Sequence, residues 1–124
     1  ALRPDSGGAG KHRGGLGAIY EIELLEKSAT AFLFGERGKF PPPGVVNGGP
    51  GAVNKFYYDS DDEDAINNKK SPPLVSKITG IKLRKGQKVR LETPGGGGYG
   101  KPADRLQHLI DNDMAQGYIS KESK

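Results

Sequence analysis

The sequence predicts a mainly β chain, built from antiparallel strands and carrying one C-terminal helix. Three observations predict it. Apolar and charged residues alternate over residues 19–25 and again over 88–93, the period-two pattern of a half-buried strand. Only one stretch repeats at the helical period: Leu106, Leu109, Ile110 and Met114 stand at i, i+3, i+4 and i+8. Twenty glycines and nine prolines among 124 residues cut the rest into short extended pieces, because both residues disfavour helix interiors.

Composition narrows the class further. One domain, residues 1–124, is expected at this length. Only 33% of the residues are hydrophobic and none is Trp, so the core is thin. The chain is therefore expected to borrow core from a partner and to be an obligate subunit. Zero cysteines remove disulfides and thiolate metal ligands and fit a cytoplasmic setting. No apolar run reaches membrane-spanning length, and no signal-peptide pattern is present. A net charge of +4 permits nucleic-acid binding, but the two signs intermingle and no recognition module is present, so none is expected.

In chain order, residues 3–17 come first. Six glycines and five ionisable residues (Arg3, Asp5, Lys11, His12 and Arg13) suit neither helix nor ordinary strand. Glycine serves where something approaches the backbone closely, and cations among such turns donate to carboxylates, carbonyls or phosphates. Arg3, Asp5, Ser6, Lys11, His12 and Arg13 are thus the candidate interface or site-completing residues, set against a tight loop that satisfies its own backbone. The loop is expected to be buried at an interface.

Residues 18–25 form the first strand, with Tyr20, Ile22 and Leu24 on one face and Glu21 and Glu23 on the other. Residues 29–34 are a second strand, apolar on both faces and so expected inside, with a hairpin as the connection. Residues 36–39 lead into the polyproline-like segment 40–44 and a turn-rich loop to residue 51. Residues 53–58 are a third strand.

The acidic cluster 59–64 invites a calcium loop. That loop would need Gly at its sixth position, where Asp64 stands, and Glu at its twelfth, where Lys70 stands. The expectation is a mobile acidic loop over 59–73 with no metal. Residues 74–83 return to strand character with a bulge at Gly80. A tight turn at 84–87 joins them to the strand 88–93 as an amphipathic hairpin.

The glycine-rich loop Gly95, Gly96, Gly97, Gly98, Tyr99, Gly100 satisfies G-x-G-x-x-G and sits between strand and helix. A dinucleotide site also needs a parallel βαβ unit, which an antiparallel neighbour and the nearby chain end deny. A P-loop fails too: His12 follows Gly10-Lys11 where Ser or Thr belongs, and Asp5 takes the first glycine's place. In the helix, Pro102 suits the first turn and Gly117 the stop. His108 is a lone surface or packing histidine, and Tyr118 onward looks like the start of another capped turn. The residues supply no nucleophile–base pair, no zinc ligand set and no nucleophile elbow around Ser6, so no catalytic residue is assigned.

Three uncommon segments occur in a fixed order: Arg3-Pro-Asp-Ser-Gly-Gly-Ala-Gly-Lys-His-Arg-Gly-Gly15, Glu36-Arg-Gly-Lys-Phe-Pro-Pro-Pro-Gly44 and Thr93-Pro-Gly-Gly-Gly-Gly-Tyr-Gly100. Together they resemble the C-terminal region of hydantoinase B-type subunits, the family of N-methylhydantoinase, 5-oxoprolinase and ATP-dependent ketone carboxylases. Hydantoinase B subunits are several times longer. At 124 residues, the chain resembles the separately encoded small subunit of ketone carboxylases of the acetophenone carboxylase type.

The resemblance implies an antiparallel barrel-sandwich hybrid completed with a larger hydantoinase B-like subunit. It implies ATP and Mg bound elsewhere in the complex, on hydantoinase A-like subunits, with no cofactor on this chain. It also implies biotin-independent carboxylation, with the corresponding part of an ATP-dependent hydantoinase, oxoprolinase or lactamase as the alternative. A free-standing basic binding module is the remote third reading.

Overall fold

Among the described residues six strands fall into two antiparallel sheets, and the order in which they pair shows a ribbon folded at a corner. A computed structural model describes residues 1–62 and 65–120. The elements are β1 (Ile19–Glu23), β2 (Ser28–Phe34), β3 (Lys55–Asp59), β4 (Lys69–Lys70), β5 (Lys77–Arg84), β6 (Lys88–Glu92), a 3-10 turn (Pro102–Asp104) and α1 (Gln107–Ala115). One sheet has the order β1-β6-β3-β4 and the other pairs β2 with β5. The chain is mainly β with one C-terminal helix, as expected, and neither sheet closes on itself.

Both expected hairpins are replaced. β1 pairs β6, from Ile19 opposite Glu92 to Glu23 opposite Lys88, and β2 pairs β5, from Ser28 opposite Arg84 to Phe34 opposite Lys77. The register runs on across the gap with an offset of one residue. Between the strands, Leu24 N–H donates to the Gln87 carbonyl (3.0 Å), Gly86 N–H to that of Leu24 (2.8 Å) and Lys85 N–H to that of Lys27 (3.2 Å). Residues 19–34 and 77–92 are therefore one long ribbon bent at a shared corner. The tight turn at 84–87 exists, with Gly86 at φ 85°, but it turns the strand into the other sheet.

Charge fixes this partnership. Glu21 lies opposite Arg90, and Lys88 Nζ reaches Glu21 (3.4 Å) and Glu23 (3.8 Å). Opposite charges across a pair favour it by roughly 0.2–1 kcal/mol each. A β1–β2 hairpin would offer neither glutamate a cation within its own strands.

The core lies between the sheets. Phe56, Ile81 and Leu83 are buried, and Leu24, Ala31, Leu33, Tyr58, Ile78, Val89 and Leu91 pack around them. Gly80, at φ 72°, is the expected bulge: Ala31 faces Ile81, yet Leu33 faces Ile78. β2 is not interior. Its Ala31 and Leu33 turn to the core, while Phe32 and Phe34 on its other face are 63% and 75% exposed. Tyr20 and Ile22 stand opposite Leu91 and Val89, as the alternation predicts, but on the edge strand they are 58% and 64% exposed.

The acidic loop is more structured than expected. β4 pairs with the end of β3, and the Ser60 N–H donates to the Asn68 carbonyl at 2.8 Å. Asn67 and Asn68 take the left-handed φ values of 52° and 60° that turn the chain back. Lys70 Nζ donates to Asp62 at 2.7 Å and holds that carboxyl below its ordinary 3.8. Arg84 pairs with Asp61. Glu63 and Asp64, part of the rejected calcium loop, lie outside the described residues. Among the described residues no three acidic or histidine side chains gather as metal ligands.

The helix also departs from expectation. Pro102 opens a separate 3-10 turn, and Arg105 and Leu106 are extended (ψ 129° and 137°), so α1 begins only at Gln107. Leu106 is 60% exposed, Leu109, Ile110 and Met114 are half-buried, and the side chain α1 buries most deeply is the charged Asp113. Gly117 ends the helix as predicted, at φ 70°. Its N–H donates to Met114 and that of Tyr118 to Asp113, the two bonds of a Schellman stop. Ile119 is then buried, and residues 121–124, the end of the expected capped turn, lie outside the described residues. No described helix is long and apolar enough to cross a membrane.

Candidate functional site: a glycine layer and its arginine cleft

The first and third segments of the family resemblance, and the end of the second at residues 42–44, come together in space. Residues 6–17, 42–52 and 94–100 run side by side as extended chain with only isolated bridges, and they hydrogen-bond to one another instead of to neighbouring strands. Gly8 N–H donates to Gly96 (2.8 Å), Gly96 to Gly15 (2.8 Å), Gly98 to Gly49 (2.9 Å) and Gly49 to Ala9 (2.7 Å). His12 and Tyr99 exchange both backbone bonds, each at 2.9 Å. Glycine is needed here because backbone packs directly on backbone. A Cβ on Gly95 would fall on the Ser6 carbonyl, and one on Gly97 on that of Pro43, in each case closer than any real contact.

This arrangement accounts for the glycine-rich loop. The N–H groups of Gly95, Gly96, Gly98, Tyr99 and Gly100 all donate to carbonyls of this chain. A phosphate cradle needs such groups pointing outward at the ligand. The loop therefore does not fit the cradle that its G-x-G-x-x-G pattern suggests.

The candidate residues divide into a buried set and a cleft set. Arg3 is buried and donates to the carbonyls of Val53 (2.7 Å) and Thr93 (2.9 Å), while its Nε lies 3.3 Å from Glu92. Ser6, 1% exposed, donates to the Arg3 carbonyl (2.6 Å) and accepts the Gly17 N–H (2.8 Å). These two fasten the layer to β6 and order the first loop. The cost of ordering residues 3–17 is thus met inside the chain. Asp5, in the left-handed region at φ 57°, accepts the Ser120 N–H at 2.8 Å and ties the C-terminal segment to the loop.

Lys11 and His12 are exposed, with the His12 ring 6.1 Å from that of Tyr99. Arg13 Nε donates to Asp113 Oδ2 at 3.0 Å, and Arg105 Nη2 donates to the same oxygen at 2.8 Å. Arg105 Nη1 also reaches the Lys11 carbonyl at 3.1 Å. Two guanidinium groups on one carboxylate leave this cluster with one positive charge in excess. A cleft of about 440 Å³ opens beside it, walled by His12, Arg13, Leu16, Arg105 and Tyr118.

Arg105 and Asp113 were not among the sequence candidates. Asp113 did carry a signal: four residues after Leu109 and seven after Leu106, it stands on the predicted apolar stripe. An acid there must be paired if it is buried.

The chain thus presents two open antiparallel sheets joined to a glycine layer, with an arginine-lined cleft beside that layer. Residues 1–102 match the hydantoinase B/oxoprolinase family, and the chain belongs to it. It is 41% identical over 123 residues to an uncharacterized protein of Methanocaldococcus jannaschii, covering 99% of this chain and 20% of that protein. It is 31% identical over 131 residues to caprolactamase subunit beta of Pseudomonas jessenii, covering 97% of this chain and 20% of that subunit.

Among solved structures, the ATP-dependent caprolactamase of Pseudomonas jessenii is similar with a TM-score of 0.79 at 28% identity, over 99% of this chain and 21% of that one. Nucleotide-free acetone carboxylase shares the fold, with a TM-score of 0.79 at 21% identity over 98% of this chain and 19% of that one. The chain spans about a fifth of the length of these relatives.

Proposed function

We propose that this chain is a structural, non-catalytic part of an ATP-dependent hydantoinase B-type enzyme, and that its open sheets are covered by the remainder of the hydantoinase B-like protein. The observation that carries the reading is the uncovered apolar surface of Phe32, Phe34, Tyr20 and Ile22, which continues the faces of both sheets. Covering such surface is worth roughly 25 cal/mol per Å², the driving force of a permanent interface. Completion of the two sheets by that partner would give the barrel-sandwich hybrid. ATP and Mg belong on hydantoinase A-like subunits, consistent with a glycine loop whose N–H groups are already engaged.

Within that class we propose the small linking subunit of a biotin-independent ketone carboxylase in the cytoplasm, of the acetophenone carboxylase type that forms benzoylacetate. The support is the resemblance carried by the three sequence segments in their order, together with a fold shared with acetone carboxylase. A lactamase, hydantoinase or oxoprolinase complex is the second reading, favoured by the similarity to caprolactamase subunit beta. The test is to purify the native assembly and follow ATP consumption with acetophenone and labelled bicarbonate in one arm and with lactams and hydantoins in the other. Labelled benzoylacetate supports the first reading, and ring-opened product supports the second. Activity retained after the chain is stripped away, with assembly unchanged, contradicts both.

A further inference from the structure

We infer that the cleft beside Arg13 and Arg105 is a binding site for a small monocarboxylate with an apolar body. This goes beyond the function proposed above and does not rest on it.

Neither guanidinium group is fully paired. Arg13 uses only Nε, on Asp113 Oδ2; its Nη1 and Nη2 make no hydrogen bond among the described residues, although the side chain is only 15% exposed. Arg105 Nε is buried and likewise has no acceptor. Withdrawn from water without an acceptor, the Arg105 Nε N–H is costly, whereas the Arg13 Nη groups stay accessible beside the cleft that Arg13 lines, where an incoming acceptor can reach them. Asp113 Oδ2 takes one bond from each arginine, and neither oxygen of that carboxylate reaches the remaining nitrogens.

The structure also holds Arg13 still. The bond to Asp113 fixes its guanidinium, Asp113 lies on the last turns of α1, and the Schellman stop at Gly117 fixes that end. The backbone on either side of Arg13 is pinned by the His12–Tyr99 exchange and by the Gly14 N–H bond to Gly8 at 2.9 Å. A planar fork held from behind, with its outer nitrogens unpaired, matches a carboxylate in a bidentate pair.

Charge and lining select the class. Arg13 and Arg105 against Asp113 leave one excess positive charge, which one carboxylate neutralises and a doubly charged phosphate would overbalance. Leu2 and Leu16 stand in the wall of the same cleft, opposite a purely ionic ligand's needs but suited to a short apolar body. The volume of about 440 Å³ has room for both. Arg13 and Arg105 also line a second cleft of about 280 Å³ toward Ile110 and Ile119, so both faces of the arginine pair are open to small molecules.

The experiment uses the complete protein in its native assembly and 4-bromobenzoate as the probe. Crystals are soaked and the bromine is located by anomalous diffraction, while calorimetry gives affinity and stoichiometry. The expected result is one bromine peak in the cleft, one-to-one binding, and no displacement by inorganic phosphate at equal concentration. Arg13→Lys keeps the charge but loses the fork and should weaken binding at least about tenfold. Leu16→Glu leaves the Arg13–Asp113–Arg105 cluster intact and sets a competing negative charge in the wall, with a loss at least as large; it decides the matter should Arg13→Lys lower the melting temperature. A peak elsewhere, no binding, phosphate displacing the probe, or unchanged affinity in Leu16→Glu each overturns the inference.

Discussion

The glycine layer and the paired sheets solve the same problem in opposite ways. The layer, residues 6–17, 42–52 and 94–100, buries almost no side chain. It brings backbones so close that their own N–H and C=O groups satisfy one another. The sheets use side chains, and a core of three buried residues with seven half-buried neighbours covers only one face of each. One region is therefore complete within this chain, whereas the other displays phenylalanines to its surroundings. A sequence poor in hydrophobic residues can still hold a fixed shape where close backbone contact replaces side-chain packing. Where it relies on side chains, it leaves surface for a partner.

Adding atoms to the layer is the most damaging change. Gly95→Val should abolish folding, because the new Cβ meets the Ser6 carbonyl and neither backbone can yield. A loss beyond about 4–5 kcal/mol is expected, read by chemical denaturation of the purified protein. Next comes the fastening between the two regions. Arg3→Leu leaves Glu92 half-paired and two carbonyls without their donor, and breaking a pair of this burial costs about 3–5 kcal/mol. The accompanying Glu92→Leu substitution should recover part of that loss, and a melting series of both single variants and the double variant measures it.

On the sheet side the effect falls on association and not on the stability of this chain. Phe32→Ser and Phe34→Ser lie on an exposed face, so each should change the stability of this chain by no more than about 0.5 kcal/mol. Both should nevertheless weaken association with the rest of the protein, as size-exclusion or sedimentation of the complex would show.

The smallest effect belongs to the acidic turn. Asp62→Asn should be nearly neutral, since the residue is exposed and its ion pair screened. Because the Asp62 pKa is lowered by the Lys70 hydrogen bond, the pair stabilises the fold above the ordinary carboxylate value of 3.8. That contribution disappears as the pH falls through the lowered value. Acid titration of the Asp62 carboxyl by NMR, with and without Lys70→Gln, checks the sign.

The fold class was legible because alternation at 19–25 and 88–93 and one helical stripe are direct consequences of burial geometry. The pairing was not. Glu26-Lys-Ser28 and Arg84–Gln87 carry the polar and glycine residues of a hairpin turn, and a bent ribbon uses the same ones. Only the meeting of Glu21 and Glu23 with Lys88 and Arg90 separates the two, and that is a long-range fact. At the candidate site, Arg3, Ser6 and Arg13 were visible as unusual residues among glycines. Their partners Glu92, Asp113 and Arg105 were hidden because each belongs, by local pattern, to another element. The glycines of residues 95–100 read as a ligand loop because a cradle and a close-packed backbone both exclude Cβ atoms. Which of the two is built depends on whether the N–H groups point outward.

The most direct test of the account is hydroxyl-radical footprinting of the native assembly, read residue by residue. The account predicts that Phe32, Phe34 and Tyr20 are protected in the assembly to the level of the buried Phe56 and become reactive when the subunits are separated, while Tyr99 at the glycine layer changes little. Phe32 and Phe34 reacting equally in the assembly and after separation would contradict it, because the open sheets would then have no partner to cover them.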